Sequence, residues 1–195
     1  MKKRDKYIVS VVIILAVVFL AVVFLGVVVP FVNTLRFVKG ITDRAHRGQE
    51  HLFYETDYEQ LLAACRELGQ QALDGKLKPK QYRVFWDDPD PNASSFPQVI
   101  LDLEPSFVTI EEDGTVDLEL MPGPAFTMVL AFPEGQEGWG SVKLIDGLWY
   151  HSSGYREDYP RYMKKIDTMI EEGRRRKAAR AATQPAPPSG EKTAP

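Results

Sequence analysis

Phe107 to Met121 read FVTIEEDGTVDLELM. Two runs of period two flank Glu112-Asp113-Gly114, and Asp-Gly is a strong short-range hairpin signal because Gly supplies the positive φ of a tight turn. In the second arm Val116, Leu118 and Leu120 point one way, and Asp117 and Glu119 the other. That alternation predicts an antiparallel sheet with one buried face. Downstream, Pro122-Gly123-Pro124 breaks the chain. Phe126, Met128, Leu130 and Phe132 then alternate with Thr127, Val129 and Ala131, which predicts a strand buried on both sides. Ser141 to Ile145 and Leu148 to Ser152 make a second hairpin through Asp146-Gly147. Upstream, Tyr82 to Trp86 reads as a strand and Asp87 to Pro97 as a loop. Gln98 to Glu104, with Val99, Leu101 and Leu103 at alternate positions, reads as another strand. Short connections favour an antiparallel meander of about six strands.

Helical spacing brackets this sheet. Thr56-Asp57-Tyr58-Glu59 is a capping box, which satisfies the first N–H groups of a helix. Tyr58, Leu61, Leu62, Cys65, Leu68 and Ala72 form one apolar stripe, and the helix is predicted to end near Gly75. A final helix starts near Tyr159, with Tyr159, Met163, Ile166 and Ile170 on one face, and continues through Arg174 to Arg180. Thr183 to Pro195 has the Pro/Ala/Thr-rich composition of a disordered tail. The expected fold class is α+β: an N-terminal transmembrane helix, a helix, the meander and a C-terminal helix.

The transmembrane expectation rests on Tyr7 to Val32, which are 26 residues without a charge. Crossing a bilayer takes about 20, and in lipid only a helix satisfies its own backbone. A signal peptide has a shorter apolar core and a small-residue cleavage site, and valines stand where that site belongs. The domain plan is a basic flank at 1–6, the transmembrane helix at 7–35 and a membrane-proximal segment at 36–55. An acidic α+β domain at 56–172 follows, then a basic helix end and disordered tail at 173–195. Lys2, Lys3, Arg4 and Lys6 crowd one end of the helix, whereas Arg36, Lys39, Arg44 and Arg47 are spread beyond the other. The positive-inside rule then leaves the domain outside the cytoplasm, on a plasma or inner membrane. This outline is similar to that of pilins and pseudopilins, but residues 7–35 contain no acid and so lack the Glu of a prepilin cleavage site. The likeness is architectural, and no family is assigned.

Charge is strongly segregated. Residues 1–50 carry 8 basic and 3 acidic side chains, residues 51–172 carry 10 and 23, and residues 173–195 carry 6 and 1. In residues 84–155 only Lys143 stands against 13 acids. A sheet this acidic repels phosphate backbones, so no nucleic acid is expected there. It suits a basic protein partner, or simple solvation of its outer face. The basic run Arg174 to Arg180 suits a helix C-terminus, with anionic lipid or nucleic acid as the alternative.

No catalytic, cofactor-binding or metal-ligating residue is assigned. Asp88, Asp90 and Asn92, beside Asp87, have the alternate oxygens of a calcium loop. Ala93 and Val99 occupy the places of its Gly and closing Glu, so a polar connecting loop is the preferred reading. Asn92-Ala93-Ser94 is a glycosylation sequon. One Cys excludes an internal disulfide framework, and its place on the apolar stripe marks Cys65 as a core residue. Trp86, Trp139, Trp149, Tyr150 and Tyr155 are expected to fill the core rather than a recognition surface. The sequence thus favours a membrane-anchored binding or assembly protein. Its alternatives are an enzyme assembled from His151, Asp102 and Cys65, and a cytoplasm-facing tether whose basic tail binds lipid or nucleic acid.

Overall fold

The computed structural model describes residues 19–86, 88–122, 126–153 and 159–183. The basic flank 1–6, the start of the apolar run, Tyr155 and the Pro-rich tail from 184 lie outside the described residues. By internal contacts the chain divides into a unit ending at Asp43 and a unit beginning at Arg44.

In the first unit the chain is helical from Phe19, with a π-helical segment at Phe24–Val28 leading into helix α1, Val29–Tyr54. The helix Phe19–Tyr54 is long and apolar enough to cross a membrane. Phe19, Leu20, Phe24, Val27 and Phe31 are all exposed.

The second unit is an α+β domain. Beyond the end of α1 come α2 (Tyr58–Leu73), β1 (Lys80–Arg83), a short helix α3 (Gln98–Leu101), β2 (Phe107–Ile110) and β3 (Val116–Met121). The chain continues through β4 (Thr127–Ala131), β5 (Val142–Ile145) and β6 (Leu148–Ser152) to α4 (Tyr159–Thr183). All pairings are antiparallel, in the order β1-β2-β3-β4-β6-β5. Four strands form the expected meander. The connection after β4, running from Phe132 to Ser141, then carries the chain past the next position, so β6 pairs with β4 and β5 becomes the edge. Both Asp-Gly turns form as predicted, with Gly114 at φ 86 and Gly147 at φ 84.

Gln98 to Glu104 is not a strand. Pro97 leads into one helical turn, its carbonyl accepting from the N–H groups of Ile100 and Leu101. Ile100 and Leu103, three apart, are the fully buried pair. The run of Val, Ile and Leu alternates on paper, but burial follows the helical spacing. The cap of α2 is also one residue later than predicted. Asp57 Oδ1 accepts from the N–H groups of Glu59 (3.0 Å) and Gln60 (3.2 Å), while the Thr56 hydroxyl donates to the His51 carbonyl. Asp57 therefore caps the new helix, while Thr56 binds the end of the old one.

The apolar sides of α1, α2 and α4 share one core with the sheet, and Ile100 of the short α3 joins it. Leu52 and Phe53 of α1, Leu61, Cys65 and Leu68 of α2, and Ile166 and Ile170 of α4 join Val108, Leu118, Val129, Leu148 and Tyr150 in one core. One side of the stretch 44–54 thus packs into the domain, through Ala45, Gly48, Gln49, Leu52 and Phe53. Three glycines permit the approach. A Cβ at Gly48 would run into the Leu103 carbonyl, at Gly69 into that of Gly114, and at Gly173 into that of Phe53. A buried polar knot closes the seam: Gln49 Nε2 lies 3.1 Å from the Tyr150 hydroxyl, 3.2 Å from Tyr162 and 3.3 Å from Thr127, and the two tyrosine hydroxyls are 2.7 Å apart.

Because each obstacle is a backbone carbonyl, no side-chain rotation can relieve it. Gly48→Ala and Gly173→Ala are each expected to cost about 1–3 kcal/mol. Urea unfolding of the detergent-solubilised chain, followed by tryptophan fluorescence, reads this directly. Unchanged midpoints in both variants would contradict the close approach.

Candidate functional site: the outer face of the sheet

Strand alternation sends every second side chain to the face that the helices leave open. Register fixes two rows across it. One runs Arg83, Phe107, Glu119, Met128, His151; the other runs Gln81, Thr109, Asp117, Leu130, Trp149, Lys143. The rims are cationic and internally paired, Arg83 with Asp88 at 3.2 Å and Lys143 with Asp146. The centre is apolar apart from Thr109 and two carboxylates. Leu130 is fully buried, and Met128 and Trp149 are half-buried.

Asp117 is the anomaly of this face. Its Oδ1 is buried and accepts no hydrogen bond from any described residue. Burial pushes its carboxyl up to about 6, and the neighbouring acids Glu111, Asp113 and Glu119 add to the shift. Glu119 is raised as well, by burial. Asp113 moves the other way, because the Thr115 N–H and the Gln136 side chain donate to it. Buried charges in native proteins are normally paired. Asp117 is not, and it stands beside a second half-buried acid.

At the β5–β6 end lies an aromatic group. His151 packs 5.5 Å from the Phe126 ring and 5.4 Å from the Trp139 ring. Its Nδ1 is 3.2 Å from the Ser141 hydroxyl. Sequence reasoning missed this pair, which only the offset register of the hairpin brings together. Ser141 Oγ already accepts from the Ser152 N–H and the Tyr159 hydroxyl, both at 3.2 Å. Its lone pairs are therefore engaged in holding the edge strand and are not free to attack a substrate.

The residues considered as an enzyme site do not converge. Cys65 is in the core under the opposite face, and burial, aided by the Asp117 charge, pushes its thiol up to about 12. Asp102 accepts from the Gln98 amide at 2.7 Å. His151 is held among the aromatics. In the Asp88–Asn92 loop, Asp90 accepts from Lys80 Nζ at 2.6 Å and from the Arg83 N–H at 3.0 Å, so cations of β1 already occupy the acids that resemble a calcium loop. Among the described residues no three His, Cys, Asp or Glu side chains gather as a metal would require. An open groove of about 1070 Å³ between α2, the β5–β6 hairpin and the 134–138 loop carries both signs of charge. Its Arg66 is bound to the Phe132 carbonyl at 3.1 Å.

The aromatics depart from expectation. Of the four that are described, only Tyr150 is in the core. Trp139 is 59% exposed, Trp149 lies on the outer face, and Trp86 sits against Phe107 with its Nε1 donating to the Ser106 carbonyl. No known family model, curated protein or solved structure matches the chain.

Two outcomes follow from these environments. The Asp117 carboxyl holds its proton more tightly folded than unfolded, so its contribution to stability is full below about pH 4 and lost as pH rises through about 6. Asp117→Asn is therefore expected to stabilise the domain at pH about 7.5 by roughly 1–2 kcal/mol, after discounting for its partial exposure, and to gain nothing at pH about 4. Thermal melts of both chains across that range test it, and a variant less stable at neutral pH would refute it. Cys65 is expected to resist alkylation by iodoacetamide in the native chain and to react fully in urea. Rapid native labelling would place the thiol elsewhere.

Proposed function

We propose that the chain is a single-pass membrane-anchored protein that acts by binding, its acidic domain recruiting a basic protein partner. The observation that carries this reading is a pair of surfaces left largely open by the described residues. One is the apolar part of the long helix, many of whose large side chains between Phe19 and Val38 are exposed, as suits a lipid environment. The other is a sheet face whose central carboxylates have no cation among the described residues. The domain that bears that face holds 23 acids against 10 bases over residues 51–172. We place the domain outside the cytoplasm on a plasma or inner membrane, on the crowding of basic residues ahead of the helix. A role as an accessory subunit of an envelope assembly fits these properties.

The tether alternative draws less support, because part of its basic run is engaged within the domain. Arg176 lies over the Tyr54 ring at 4.3 Å, and Lys177 over the Tyr58 ring at 3.6 Å. Burial holds the Lys177 amine down to about 8.

The test has two parts. A tag at the C-terminus should be cut by protease added to sealed spheroplasts. The full chain, solubilised from membranes in mild detergent, should then retain a basic protein that elutes as salt rises past about 0.15 M. A tag protected until lysis overturns the orientation, and salt-insensitive capture or none overturns the binding reading.

A further inference from the structure

The helices that seal the inner face leave Asp117 and Glu119 at the centre of the outer one. Neither has an ion pair or a side-chain hydrogen bond among the described residues. Both rim cations are taken by acids of their own loops. The face therefore presents uncompensated negative charge within an apolar surround of Phe107, Met128, Leu130 and Trp149.

We propose that this face docks an arginine-bearing segment of a basic protein, its guanidinium groups seated on Asp117 and Glu119 and its stems lying against Phe107 and Met128. This rests on the binding reading and names the surface and the chemistry that serve it. Asp117 and Glu119 are two apart on one strand, so they project the same way about 7 Å apart. Alternate side chains of an extended segment have the same spacing. Two arginines separated by one residue thus meet both carboxylates at once. Arginine suits the site better than lysine. Its planar fork engages a carboxylate such as that of Glu119 through two hydrogen bonds, and it is less strongly hydrated. Each carboxylate that gains a cation also ceases to repel its neighbour. The exposed Trp139 and half-buried Trp149 and Met128 belong to the residue types that anchor protein interfaces.

The test is calorimetric titration of the full chain in a non-ionic detergent with a synthetic peptide of alternating arginine and threonine. Three proteins are compared: the natural chain, Asp117→Asn/Glu119→Gln, and Glu67→Gln/Glu171→Gln, which removes the same charge from exposed positions of α2 and α4. Removing the unpaired Asp117 charge is expected to favour folding, so the first variant remains a folded protein. It is expected to bind at least about tenfold more weakly than the natural chain, with the control within about twofold. Equal losses in both variants overturn the location while leaving the binding reading intact. A lysine–threonine peptide bound as tightly overturns the choice of arginine. A natural chain that captures its partner from membranes but ignores the peptide overturns this proposal alone. One that does neither overturns both.

Discussion

Backbone touching backbone at three glycines sets the geometry of the domain. Gly48 meets the Leu103 carbonyl, Gly69 meets Gly114, and Gly173 meets Phe53. Each contact lets a helix come closer than a side chain would allow, and each belongs to a different helix. Close approach excludes water from the seam, which is why Gln49, Tyr150, Tyr162 and Thr127 must satisfy one another there. An unsatisfied polar group at that depth would cost about 1–3 kcal/mol. Glycine contact, apolar core and polar knot are therefore parts of one constraint.

That constraint determines what remains for the other side. With α1, α2 and α4 committed to the inner face and the Gly138–Gly140 loop lying against Trp149, no described helix covers the centre of the outer face. Its side chains shield one another only partly. Leu130 disappears beneath its neighbours, whereas Asp117 is drawn into the same apolar surround without a partner. Stability alone would favour Asn there. On the proposed binding reading, this desolvated acid next to Glu119 is where another molecule's cation completes the surface.

The fold was legible where local chemistry and burial agree. The Asp113-Gly114 and Asp146-Gly147 turns, the alternation of Val116 to Leu120 and the stripe from Leu61 to Ala72 each carry their own physical signal. Gln98 to Leu103 misled because a run of Val, Ile and Leu satisfies period two and period three equally, and only the packing of Ile100 and Leu103 decides between them. The swap of β5 and β6 was invisible because pairing order depends on the long connection from Phe132, not on either strand. The site was harder to see. Asp117 in sequence is one acid among many, and its isolation exists only after register sets it between Thr109 and Leu130. The Ser141–His151 contact likewise depends on a cross-strand offset.

The chain combines an apolar helix long enough to cross a membrane with a domain whose sheet packs its core on one face and bears acids and aromatics on the other. The most direct test is photo-crosslinking in intact cells. A photoreactive amino acid replaces Thr109, on the outer face beside Asp117, or Glu67, on the exposed side of α2. The account predicts a specific adduct with a basic protein from position 109 and none from position 67. Equal adducts at both positions, or none at 109 in a correctly inserted chain, would contradict it.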